Sequence, residues 1–292
     1  MRDSDATIDR AGTSPDTSNQ SRRWVPSVGR SSRVWASQAS GFAYRTLRDV
    51  SRSWSVLAVA IGLPPVMYLL VTATRQFDPA TKGLFAVGIA VLGAMIASLT
   101  TFGSQLAVDL ETDRFVAYRS MAVRPSADFA GRVVAGLVVA ALALVFGLGV
   151  GVLDGAPLAV TGAWSAAAST VAFLGLSVVF MAVAVPVVVA ANDEQYAQFV
   201  LSLVAVFGFM LTGYNGMMPS VGVLDGSISG LLPNVLGTRT IASQLVTTDG
   251  ATAIGFFEES GRLAPLVGYG IVAGTVGVLL TRWQLYDRGM RS

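Results

Sequence analysis

The residues that could do chemistry in this 292-residue sequence are few, and what is missing narrows the options first. There is no His and no Cys, so disulfides, thiolate nucleophiles, Cys/His zinc sites and histidine acid–base catalysis are all excluded. A phosphate-gripping loop needs a Lys after a Gly-rich turn. The single Lys, Lys82, stands in D-P-A-T-K-G without the preceding glycine, so the chain has no such loop of its own. The charged residues that remain crowd one stretch, where Asp109, Glu111, Asp113, Arg114 and Arg119 alternate with Leu110, Phe115, Val116 and Tyr118. A short helix carrying both charge and apolar side chains offers what docking onto a soluble partner requires. The plain alternative is a solvated connection between two larger elements. No catalytic, cofactor or metal-ligating set is expected.

The elements that position this stretch follow from composition. Charged residues make up only 13% of the chain and hydrophobic ones 53%, whereas a soluble domain carries about 25% charge to wet its surface. Six charge-free stretches stand at 55–74, 83–108, 133–153, 155–192, 195–224 and 263–281. Each can supply the roughly 20 apolar residues that cross about 30 Å of hydrocarbon. The expected fold is all-α, a polytopic helical membrane protein with about six transmembrane helices, at about 55–74, 84–104, 133–153, 165–190, 196–217 and 264–282. An even number of spans puts both ends on one side. That side holds 16 of the 20 basic residues, the other only Arg75, Lys82, Arg239 and Arg262, so both termini are expected to be cytoplasmic. The 105–132 loop lies on that side as well.

The flanking segments have distinct characters. Residues 1–32 are rich in Ser, Thr, Asp and Arg without hydrophobic period, and are expected to form a disordered cytoplasmic tail. No apolar core of a secretory signal occurs in the first 53 residues. In 33–54, Trp35, Phe42 and their helical neighbours oppose Arg45, Arg48 and Arg52, the pattern of an amphipathic helix at the headgroup layer. Residues 55–292 form the six-helix domain. Pro64-Pro65 and Pro186 are expected to kink or interrupt the first and fourth spans, and recurrent Gly and Ala to let helices approach closely. The 218–263 stretch is too apolar for a free loop and too broken by Pro219, Gly222, Gly226, Gly230 and Pro233 for a span. Short re-entrant helices against the outer end of the bundle fit it.

An ion-gradient carrier needs ionisable groups at membrane depth, and the six expected spans contain none apart from Arg282 at the last boundary. In order and local wording, the sequence from about residue 33 onward resembles the type 2 ABC exporter permeases. An interfacial helix at 33–54 precedes the first span. A charged coupling segment follows the second, with Glu111, Pro125 and Arg132 at similar positions. Asp113-Arg114 replace the usual Gly there, and Tyr118 or Met121 stands where Leu is common. Leu232-Pro233 and then Arg239 resemble the re-entrant stretch, and Arg282 through Arg288-Gly289 the closing pattern. The resemblance implies a permease subunit, not an enzyme, paired with a second copy or paralogue in the cell membrane. It also implies coupling through Asp109, Glu111, Asp113, Arg114, Phe115, Tyr118 and Arg119 to a separate cytosolic ABC ATPase. That partner would hold the ATP and Mg, and no cofactor would be bound by this chain. No nucleic-acid partner is expected. An ion-gradient-driven carrier and a non-transporting membrane scaffold are the alternatives.

Overall fold

A computed structural model describes residues 28–191, 193–218, 222–224, 226–247 and 263–287. Among them, helices account for the architecture and no strand forms; the only β-type pairing is an isolated bridge between Leu158 and Val246. The elements in chain order are α1 (Val28–Arg52), α2 (Trp54–Leu57), a π-helical turn (Ala58–Gly62), α3 (Leu63–Thr74), α4 (Pro79–Glu111) and α5 (Arg114–Ser120). Then come α6 (Pro125–Leu153), α7 (Ala163–Ala190), α8 (Glu194–Leu211), α9 (Gly213–Gly216), α10 (Gly226–Ser229), α11 (Pro233–Leu245) and α12 (Leu263–Thr281), which runs on into a second π turn (Arg282–Asp287). The expected tail at 1–32 lies outside the described residues up to 27, and from Val28 the chain is already helical.

Five helices are long and apolar enough to cross a membrane: Pro79–Glu111, Pro125–Leu153, Ala163–Ala190, Glu194–Leu211 and Leu263–Tyr286. The expected first span is a composite. Pro64 and Pro65 lack the N–H groups that would bond one turn back, and the chain widens to a π turn just before them, with Leu63 N–H bonded to Ala58 O. Pro186, by contrast, is carried inside α7 without a break. This multi-pass, all-α arrangement is that of a membrane protein.

α4 is the axis. Its most apolar stretch is wholly buried, and α3, α6, α7, α8 and α11 all pack on it. Asp78 caps its start, accepting from Thr81 N at 3.0 Å, and Pro79 opens the first turn. Small residues let its neighbours approach closely; Ala86, Gly88, Ala90, Gly93, Ala94, Ala97 and Ser98 supply them. The neighbours return the favour: a Cβ on Gly147 of α6 would lie 2.9 Å from Ala90 Cα, and one on Gly270 of α12 would lie 3.2 Å from Gly175 Cα of α7. α1 lies along α6, with Phe42, Ala43, Thr46 and Val50 turned inward. Trp35 Nε1 donates to Ser126 Oγ at 3.1 Å, and Arg124 N to Gln38 Oε1 at 3.2 Å. At the opposite end of α4, Ala159 N bonds to Leu245 O and Thr247 N to Pro157 O, while Lys82 pairs with Asp154. These contacts tie the α6–α7 connection to the end of α11.

The close approach of α6 to α4 has a direct test. Gly147→Leu forces a side chain against backbone and is expected to destabilise by about 1–3 kcal/mol. Gly149, with open space where its Cβ would be, should accept Leu within about 0.5 kcal/mol. Thermal melts of the purified variants distinguish the two.

Candidate functional site: a buried ionic hub

Asp109, in the last turn of α4, is wholly buried. Its Oδ1 accepts from Arg45 of α1, and from Arg114 Nη1 of α5 at 3.0 Å. Its Oδ2 accepts from Arg132 Nη2 of α6 at 2.5 Å and from Tyr118 OH of α5 at 2.9 Å. Arg45 also donates to the Tyr118 hydroxyl. One turn before Arg132 stands Asp128, which accepts from Arg132 Nε at 2.6 Å and from Tyr286 OH of the terminal π turn at 3.1 Å. With Asp49 at 3.8 Å from Arg45 Nε, the three arginines face three aspartates.

Burying charge is costly unless the geometry is good and the remaining donors and acceptors are met. Here both Asp109 oxygens take two bonds, and the Arg132 guanidinium sits 5.6 Å from the Phe42 ring centroid and 6.0 Å from that of Phe115. Phe42 and Phe115 in turn meet Tyr118 edge-on at 5.2 and 5.5 Å. Burial, reinforced by the Asp109 charge, pushes the Tyr118 phenol above its ordinary range, so it stays a hydrogen-bond donor. Asp109 lies five residues beyond the expected 84–104 span, about 7 Å along the helix.

α5 is set in place by left-handed residues at both ends: Asp113 (φ 51°) precedes it and Ala122 (φ 52°) follows it. Asp tolerates that conformation because its short polar side chain can bond locally. It thus serves where glycine would be the usual choice. Of the sequence-predicted coupling residues, Asp109, Phe115 and Tyr118 point inward to the hub, Arg114 is half-exposed, and Glu111 and Asp113 are exposed. Arg119 reaches Leu285 O at 3.3 Å. Val116 and Met121 are exposed apolar positions on the same surface. Beside them a hollow of about 330 Å³ opens along the α1–α5 seam, lined by Gly41, Arg45, Tyr118, Met121 and Val123 among others. Of the amphipathic-helix residues, Trp35 and Phe42 face α6, Arg45 turns into the hub, and Arg48 and Arg52 stay exposed. The sequence reading missed Asp128, Arg132 and Tyr286 as hub members. The available signal was the i,i+4 spacing of Asp128 and Arg132 on one helix.

The outer element is a second polar centre, at the far end of α4. Leu232-Pro233 open α11, on which Arg239 is partly buried, while Pro219 lies outside the described residues. Gly213, Tyr214, Asn215 and Gly216 all have positive φ, a full left-handed turn after α8. Such a turn costs about 1–2 kcal/mol per non-glycine residue and persists only where its surroundings hold it. Asn215 is buried there, bonded to Gly88 O of α4 at 3.4 Å and accepting from Asn234 Nδ2 of α11 at 3.0 Å. Asn234 also donates to Thr212 Oγ1 at 3.0 Å.

No family model matches this chain, and no curated protein matches it. What the geometry establishes is an ion-paired junction of α1, α4, α5, α6 and the terminal π turn, with a mixed polar and apolar helix displayed on its outer side. The contribution of each arginine should track its burial. Arg132→Gln, at a side chain 2% exposed, is expected to cost about 3–5 kcal/mol by stranding buried carboxylates. Arg114→Gln, at one 43% exposed, should cost less than about 1 kcal/mol. Denaturation of the two variants reads the gradient.

Proposed function

We propose that this chain is the permease subunit of an ATP-driven exporter, embedded in the cell membrane with both termini cytoplasmic. In this reading it forms half of a translocation pathway with a second copy or a paralogue. The observation that carries the proposal is the mounting of α5. It stands in the connection between α4 and α6, which exposes Glu111, Asp113, Val116 and Met121, and it roots itself through Asp109 in three other elements. A partner that pushed on α5 would move α1, α4 and α6 with it. Next to α5, a hollow of about 260 Å³ between the ends of α4 and α7, bordered by Glu111 and Asp193, would take a partner side chain.

The energy must come from elsewhere. The sequence has no phosphate-binding loop, and ATP with Mg would be bound and hydrolysed by a separate cytosolic ABC ATPase docked on this surface. Hydrolysis could bias the bundle between two states only through contacts that differ between them, and α5 is where such contacts would form. Both wholly buried carboxylates among the described residues, Asp109 and Asp128, are locked in ion pairs. This favours a mechanical role for them over proton carriage.

The test uses the complex purified from membranes through a tag on this chain. Glu111→Arg combined with Asp113→Asn reverses or removes the exposed charges while keeping a residue that tolerates the left-handed position. ATP hydrolysis associated with the complex is expected to fall at least tenfold, with the melting temperature of the permease unchanged. Unaltered hydrolysis, or gradient-driven uptake by the reconstituted chain alone, would overturn the proposal.

A further inference from the structure

Where α2 gives way to the π turn, the bundle surface has a trough of about 710 Å³ whose lining includes Trp54, Leu57, Ile61, Gly62, Leu63 and Phe146. None of these side chains is charged. Two features make the space. The π turn displaces the helix face just before Pro64-Pro65, and Gly62 has nothing within 4 Å of where a Cβ would stand. From Trp54 to Val66 the lining runs about 18 Å along the helix, close to the roughly 15 Å depth of one leaflet's hydrocarbon.

The helix that leads into the trough, α1, ends on a different character. Arg48 and Arg52, one turn apart and both exposed, have no ion pair among the described residues. This contrasts with Arg45, which is drawn into the hub on the same helix. Trp54 follows two residues later and is 80% exposed, and an exposed Trp beside arginines marks the headgroup level. Two exposed guanidiniums in the last turns of α1, just before the chain enters an uncharged channel as deep as one leaflet at Trp54, have the charge order of an anionic phospholipid. A docked protein helix would meet cations and then an apolar trough with no polar partner.

We infer that this groove binds one anionic phospholipid, its headgroup on Arg48 and Arg52 and one acyl chain laid along Gly62. The site requires only that the helices stand in a bilayer, so it survives if the transport reading fails. The bound lipid would fill the gap left by the π turn and fasten α1 to the first apolar segment.

The full chain, equilibrated in mixed phosphatidylglycerol and phosphatidylcholine vesicles, is extracted and examined by native mass spectrometry. One phosphatidylglycerol per chain is expected, preferred about tenfold over phosphatidylcholine, because each basic residue near a membrane surface adds attraction for anionic lipid. Gly62 has ordinary helical angles (φ −83°, ψ −45°), so Gly62→Leu fills the trough without backbone strain. It should lose the retained lipid of either kind. Arg48→Gln with Arg52→Gln, both at the surface, should retain a lipid but equalise the two headgroups. Equal retention of both lipids by the unaltered chain, detergent alone in the site, or an undiminished lipid count in Gly62→Leu would each overturn the assignment.

Discussion

One carboxylate, Asp109, organises the α5 end of this molecule, because a charge with no access to water must be met in full by the protein. Three arginines and a tyrosine from α1, α5 and α6 converge on it, and Asp128 extends the pairing to the terminal π turn through Tyr286. Segments far apart in sequence are thereby fixed to one point. The tolerance for error is small. In a low-dielectric setting, removing one partner leaves another buried and unpaired, and the cost falls on the whole junction. This is why α1, an amphipathic helix, packs against α6 turned so that Arg45 faces inward.

The opposite pole is held by different means. Around α4 the contacts are apolar and close, made possible by glycine and alanine on both sides of each interface. Where the chain leaves α8, amide groups replace ions: Asn234 donates to Asn215, which donates in turn to the backbone of α4. The left-handed turn that presents Asn215 is a conformation a chain adopts only under such constraint. α4 thus joins an ionic junction at one end to a hydrogen-bonded, strained one at the other.

Much of the fold could be read from the residues. Charge-free runs located the five helices long and apolar enough to cross a membrane, since nothing but length and apolarity is needed for that. The Pro64-Pro65 pair marked the irregular first segment, and the density of Gly and Pro after α8 marked short helices in place of a span. What was hidden depended on direction. Arg132 and Asp128 look like a boundary charge and a first-turn acid, and only the packing of α1 over α6 turns them inward. Asp109 reads as one more charge in a polar loop until α4 is seen to carry it into the core. Arg45 shares a helical stripe with Arg48 and Arg52, and it differs from them only because Tyr118 and Asp109 lie across from it. Side-chain polarity gives the face of a helix; which face meets a neighbour is decided by contacts distant in sequence.

The claim that Asp109 clamps α1 and α5 to the bundle is tested most directly by amide hydrogen exchange on the full chain in bilayers, comparing it with Asp109→Asn. This substitution keeps the volume and removes the charge. Protection should fall together in α1 and α5 while α7 and α12 keep theirs. Unchanged protection in α1 would contradict the clamp and leave Asp109 as a local contact of the α4–α5 turn.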